Sequence, residues 1–489
     1  MTLVNGSRRI AAAALLVSLA LGLSPRPAGA RGPNIREFGD ALTVSGIQAH
    51  QARFQVFAEA NGGTRVAGTG GHDASAQYVY DQARAAGYDV RFQEFTFPLW
   101  TERTPPTFER VSAVPRSFTR LVDFFTAVYS SSGDVTAEVV AVNLTVPSPV
   151  ENASASGCEA ADFAGFPPGR IALVQRGTCL FRDKVELALA AGAAGVIIFN
   201  EGNPERTDAF TPTLSAPALP LPVVGTSFAV GDELRNGVLN GPTGVRVHLR
   251  TDVLNAERTT RNVIAETRGG DPSRVVVVGA HLDGPNLAPG INDNGSGSAV
   301  ILEIARVYAA LHGQPRNKLR FIWFSAEEFS LLGSTAYVDS LTRTDLDRIL
   351  VMLNVEAVGS RNFVRFVLDG DDSISPGSEL VERVLLDYFA SRGLPTQPFP
   401  LGGLSDEIPF MAAGIPVGGL FTGVSGSKTV EEAAIFGGTA GARYDPCWRE
   451  ACDTVDNSDP SILGEMAGAA GHAVLFFSET TRDVRGANP

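Results

Sequence analysis

Three things are scarce in this sequence. Its 489 residues hold four cysteines, Cys158, Cys179, Cys447 and Cys452. Basic side chains are outnumbered, 40 Lys and Arg against 53 Asp and Glu, for a formal charge of −13. Beyond the N-terminus no stretch reaches the ~18 uninterrupted apolar residues that a membrane-spanning helix needs. The charge deficit disfavours a phosphate backbone, so nucleic acid is not an expected partner. The missing apolar run excludes a helical membrane span in the mature chain. No internal repeat is visible.

What the N-terminus does contain is a processing segment. Arg8 and Arg9 precede an apolar run from Ile10 to Leu23, and Ala28-Gly29-Ala30 has the small residues of a cleavage site. These are the three parts of a secretory signal, and no cysteine follows to carry a lipid. Residues 1–30 are therefore read as a signal peptide and the protein as secreted. Cleavage removes three arginines and no acids, which takes the charge from −13 to −16. In an exported chain an even cysteine count suggests disulfides. Three pairings are possible, and proximity in sequence favours 158–179 and 447–452.

The remaining length suggests two or three domains, with 44% hydrophobic residues to fill their cores. Residues 35–60 and 72–87 read as amphipathic helices, 88–97 as an alternating strand, and 104–115 as a proline-rich stretch. From 130 to 250 glycine and proline rise and the apolar runs shorten. Within that region, GRIALVQRGTCLFRDKVELALAAGAAGVIIFNE reads strand, turn, helix, strand. It resembles a protease-associated (PA) domain, including the RG-x-C-x-F-x-x-K pattern at Arg176, Gly177, Cys179, Phe181 and Lys184. The resemblance implies a β-rich insert that shapes access to a peptidase site and contacts substrate or another protein.

After 251, near-continuous apolar strands alternate with helices. That pattern predicts an α/β fold with a mostly parallel twisted sheet flanked by helices. The organisation is read as a first core segment at 31–129, the insert at 130–250 and a second core segment at 251–489. In such sheets sites form at the carboxyl ends of the strands, and the polar residues gather there. VVVVGAHLDG ends a strand with His281 and Asp283, a spacing that suits a metal ligand and a carboxylate that orients it. Asp293 lies in the glycine-rich turn APGINDNGSGSA, where a carboxylate can approach an ion. Glu327 and Glu328 stand side by side after the apolar strand KLRFIWF and repel each other unless a cation or proton intervenes. Glu356 ends the strand ILVMLNVE. Singly, each has an ordinary structural reading as a strand-end histidine, a helix cap or a solvated pair.

In order, the segments G-x-H-x-D, G-x-N-D-N-x-S-G, A-E-E-x-x-L-x-G-S, N-x-E-x-x-G and G-G-L-F-T-G resemble the M28 family of zinc aminopeptidases, in particular its secreted bacterial members. The resemblance covers roughly 40–100 and 251–480. It implies a cocatalytic zinc pair on an α/β sheet and peptide or protein N-termini as substrates. His281 and Glu356 would bind the first metal, Asp293 would bridge, Glu328 would bind the second, and Glu327 would be the general base. Asp283 and Asp406 would support these from behind.

The same resemblance exposes departures. Where relatives carry C-Y-H in a disulfide-closed loop, this chain has Cys447, Trp448 and Arg449, with Cys452 to close the loop. The histidine of that motif binds the second zinc, and arginine cannot. The R-S-D-H segment of relatives is Leu404, Ser405, Asp406 and Glu407 here, and the first-metal aspartate is Glu356. There are only six histidines, and of these only His281 lies in a ligand motif. Glu450 and Asp453 are alternative oxygen ligands. The expectation is that Arg449 pairs with Glu328 and Asp293 in place of the second metal, so that the site holds one zinc at most, on His281, Asp293 and Glu356; a replacement ligand would make it two. The function expected is a secreted zinc aminopeptidase of M28 type. The alternative is a non-catalytic homologue that keeps the fold to bind peptides or proteins.

Overall fold

The computed structural model describes residues 35–485 apart from 113, 205, 313, 372, 403 and 404. The leader expected at 1–30, and Leu404, lie outside the described residues. No helix among the described residues is long and apolar enough to cross a membrane.

One 14-stranded sheet runs through the molecule. Its first half is the order Gln397–Pro400, Phe366–Asp369, Val417–Phe421, Ile349–Glu356, Asp271–His281, Asn317–Phe324. The central pairings in this half are parallel. Val-, Ile- and Phe-rich strands such as Ile349–Glu356 are buried along their whole length, as expected of a sheet covered on both faces. The helices Val44–Glu59, Gly70–Ala85, Gly295–His312 and Pro460–Glu479 pack into the same core, with Phe54, Val79, Ile301, Trp323 and Val474 fully buried.

The second half is the β-rich insert, Gly133–Ala141, Ile171–Gln175, Gly195–Phe199 and Val223–Thr226, joined at its edge by Phe124–Thr126, a strand that precedes the boundary read at 130. Strand Ile171–Gln175, helix Phe181–Ala190 and strand Gly195–Phe199 follow the order read from the sequence. Lys184 is buried here, with Nζ donating to the Ser156 carbonyl at 2.5 Å. Cys158–Cys179 closes in this half and Cys447–Cys452 in the other, the pairings that proximity favoured.

Two departures stand out. The strand expected at 88–97 runs from Asp89 to Arg110 and passes through the proline-rich stretch. It pairs antiparallel with Gly241–Glu266, a strand that itself crosses residue 250. Register shifts between Glu102 and Thr107 accommodate Pro105 and Pro106, because proline cannot donate to a ladder but is tolerated at an irregularity. The two halves are thus joined by a long ribbon rather than by a loop. The helix expected at 35–60 is two, Ile35–Ala41 and Val44–Glu59. Thr43 interrupts it, extended, with its hydroxyl accepting the Gly46 N–H at 3.1 Å.

Candidate metal centre

Adjacent parallel strands end side by side, and their ends carry the chemistry. His281 closes one strand and pairs in register with Phe324 of the next. Glu327 and Glu328 follow Phe324 in a short 3-10 turn. Glu356 closes the strand on the other side. Asp293 sits in the turn that leads into Gly295–His312. The five residues, far apart in sequence, meet at one point.

His281 is the hub. Its Nδ1 lies 3.1 Å from the Asp283 carbonyl, which can only accept, so Nδ1 carries a proton and Nε2 faces the carboxylates. Nε2 is 3.1 Å from Glu356, 3.4 Å from Asp293 and 3.7 Å from Glu327. Burial opposes an imidazolium here, but Glu356 and Glu327 outweigh it and hold the ring well above its ordinary range. Several buried carboxylates around one nitrogen call for positive charge at their centre. One nitrogen of His281 and one oxygen each from Asp293 and Glu356 lie within 4.8 Å of one another. An imidazole and two carboxylates, with a further position for water, suit a catalytic zinc, so these residues fit one such ion.

The Asp283 carboxylate sits on the Nδ1 side of the His281 ring and has a second role. It lies 3.7 Å from His281 Nδ1 and accepts the backbone N–H groups of Glu327 at 3.2 Å and Glu328 at 3.4 Å. The backbone carbonyl of Asp283 orients the ring, and its carboxylate positions the glutamate pair.

The glutamates differ in their surroundings. Burial pushes the Glu327 carboxyl well above the usual range; His281 pulls it down, and Glu356 and Glu328 push it up. Burial raises Glu328 to about 7 against the opposing charge of Arg449. Arg449 Nη2 donates to Glu328 Oε2 at 2.6 Å. The expected pairing of Arg449 with Asp293 is not a direct one. The Trp448 indole N–H takes that place, 2.7 Å from Asp293 Oδ2. The guanidinium lies over the Trp448 ring, 4.6 Å from its centroid.

Asp453, weighed as an oxygen ligand, is a support for the Asp293 turn. It is fully buried and accepts the N–H groups of Asn292 at 2.8 Å and Asp293 at 3.3 Å, together with the Asn457 amide at 3.1 Å. Glu407 is buried too, accepting from Asn354 at 2.8 Å and from the Ser405 N–H at 3.2 Å. Asp406 is fully buried, its carboxyl raised to about 8 by burial.

Three residues missed in the sequence hold the centre. Ser405 Oγ donates to Glu356 Oε2 at 2.8 Å, and Asn294 Nδ2 to the same oxygen at 3.0 Å. The Arg65 guanidinium, fully buried, donates to the carbonyls of Leu282, Pro289 and Gly290, tying the His281 strand end to the Asp293 turn. Asn294 stood inside a motif that marked its neighbour. Ser405 stood likewise in the segment set against R-S-D-H, which marked its neighbours, and Arg65 carried no spacing signal at all.

A cleft of about 280 Å³ opens beside the centre. Trp100, Phe125 and Tyr129 line it from the ribbon and the insert, and Glu328, Phe329 and Arg449 from the sheet end.

Comparison with known proteins gives concordant matches. Residues 262–474 match the family described as Peptidase family M28, and residues 135–234 match the PA domain. An aminopeptidase of Pseudomonas aeruginosa is 41% identical over 478 residues, 96% of this chain and 84% of that protein. Among solved structures, the aminopeptidase from Aneurinibacillus sp. strain AM-1 is 26% identical with a TM-score of 0.67, covering 93% of this chain and 99% of the other. BSAP, a zinc aminopeptidase from Bacillus subtilis, is 26% identical with a TM-score of 0.63, covering 91% and 97%.

Proposed function

The chain belongs to peptidase family M28 and carries a PA domain, and on that premise we propose that it is a zinc-dependent aminopeptidase releasing N-terminal residues from peptides. The observation that carries this reading is the convergence of His281, Asp293 and Glu356 within 4.8 Å, with Glu327 beside them. The names of its relatives, an aminopeptidase and a zinc aminopeptidase, support the substrate class and the metal.

His281, Asp293 and Glu356 would hold the ion. When bound, zinc polarises a carbonyl and makes water a nucleophile near neutral pH. Glu327 is the proposed general base. A carboxyl whose affinity for protons is raised by burial can take one from the attacking water and return it to the leaving amine. Asp283 keeps Glu327 in place through its backbone N–H. Glu356, steadied by Ser405 and Asn294, offers the negative charge that suits a free N-terminal ammonium. The cleft between sheet end and insert is the proposed route for peptide, which gives the PA domain a part in substrate binding. Export is proposed as well, supported by two closed disulfides in a chain with no other cysteine.

A second reading is favoured by one observation. The Arg449–Glu328 pair fits a homologue that binds peptide without cleaving it. Hydrolysis of leucyl-p-nitroanilide by the zinc-equilibrated protein separates the two. The peptidase reading expects turnover, and a loss of about 10²–10⁴-fold in kcat for Glu327→Gln with the fold intact. No turnover of any aminoacyl chromogenic substrate overturns it in favour of binding alone.

A further inference from the structure

We propose that the centre takes one zinc ion per chain, on His281, Asp293 and Glu356, and that the Trp448–Arg449 pair fills the place of a second. The inference rests on the peptidase reading, since it concerns the same site.

At the second position the histidine ligand is replaced by Arg449 and one oxygen of each carboxylate is already engaged, while Glu328 Oε1 has no hydrogen-bond partner among the described residues. Glu328 is only 8% exposed, and its Oε2 is engaged by the Arg449 guanidinium at 2.6 Å. A guanidinium has donors only and stays protonated, so it satisfies that carboxylate but coordinates nothing. Asp293 needs both oxygens to bridge two cations. Its Oδ1 faces His281, and its Oδ2 already accepts the Trp448 indole N–H at 2.7 Å.

The substitute is built in, not a side chain that has wandered into the site. Trp448 and Arg449 lie inside the Cys447–Cys452 loop. Arg449 adopts a left-handed backbone, with φ of 59°, and its guanidinium rests over its neighbour's ring. The loop is fixed at its base, where Asp445 Oδ1 accepts the Cys447 N–H at 2.8 Å. Indole and guanidinium therefore reach two different carboxylates from one rigid turn. None of the other described histidine side chains joins the ligand cluster: His50, His248 and His472 are engaged with Tyr78, Asp134 and Tyr388, and His72 lies buried in helix Gly70–Ala85 outside that cluster. Asp453 is occupied by backbone N–H groups.

The test is zinc content per chain by plasma mass spectrometry after equilibration with excess zinc and gel filtration, with hydrolysis of leucyl-p-nitroanilide measured on the same samples. The inference expects one zinc in the wild type, two in Arg449→His, and one again in Arg449→His/Glu328→Gln. It also expects one in Glu328→Gln alone and none in His281→Ala, so the question stays answerable where Arg449→His fails to fold. Two zincs in the wild type, or a zinc lost on Glu328→Gln, overturns it. A folded Arg449→His that stays at one zinc overturns the assignment to Arg449. Two zincs with turnover refute this inference and leave the peptidase reading standing. One zinc without turnover does the reverse, and no zinc refutes both.

Discussion

Arg449 Nη2 lies 2.6 Å from Glu328 Oε2, and the carboxylate it meets is almost wholly buried while the guanidinium is one-third exposed. Removing the cation strands an acid away from water. Arg449→Met is expected to destabilise the protein by about 1–3 kcal/mol at pH 8, less than a fully buried pair loses because the arginine is partly solvated. The loss depends on pH. Burial already raises Glu328 from 4.5 to about 7 despite Arg449, and without the arginine it rises further. The folded state then keeps a proton that the unfolded chain releases, so stability falls as pH climbs through that window. Urea denaturation at pH 5 and pH 8 checks this, with the smaller penalty expected at pH 5.

Asp453 holds the Asp293 turn by accepting two backbone N–H groups, and burial raises its carboxyl to about 8. At neutral pH it is largely a neutral acceptor; asparagine keeps the Oδ1 bonds from Asn292 and Asn457 and gives up only the longer one from the Asp293 N–H, because its amide nitrogen cannot accept. Asp453→Asn is expected to bind zinc within a few-fold of wild type. Asp453→Ala leaves the N–H groups unpaired, at about 1–3 kcal/mol each, and is expected to weaken zinc binding about 10–100-fold. Zinc titration with a competing chelator distinguishes the two variants.

His72 is fully buried in helix Gly70–Ala85, and neither ring nitrogen has a hydrogen-bond partner among the described residues. Burial lowers it from 6.5 to about 4. Between those values the unfolded chain binds a proton that the folded chain refuses, so stability rises with pH across the window and is lost as pH falls through it. The effect is up to about 3 kcal/mol. His72→Leu is expected to flatten the slope of thermal midpoint against pH between 4 and 6.5.

Phe125 of the insert faces the same cleft as Glu328 and Phe329. If peptide passes there, truncating the ring removes binding that is uniform through the reaction. Phe125→Ala is expected to raise KM several-fold and leave kcat unchanged. Steady-state kinetics on a tripeptide measure both constants.

Much of the centre was legible because strand-end motifs travel with their neighbours. His281, Glu327, Glu328 and Glu356 stand where an apolar run stops and Asp293 in the glycine-rich turn before a helix, and the structure brings these strand ends and that turn together. The substitution at 449 was equally plain, since a guanidinium excludes itself as a ligand. The supports were not legible. Arg65 acts on residues more than 200 positions away, and a lone polar residue announces no partner; Ser405 stood in a marked segment, but that segment did not announce its bond to Glu356, 49 positions away. The role of Trp448 depended on reach, which spacing does not supply. Prolines at 105 and 106 suggested a loop, but long-range pairing with Gly241–Glu266 overrode that local preference.

Crystals of the zinc-equilibrated protein, measured above and below the zinc absorption edge, locate each zinc directly. A single anomalous peak among His281, Asp293 and Glu356, with Arg449 still on Glu328, is the predicted result. A second peak between Asp293 and Glu328, with Arg449 displaced, would contradict it.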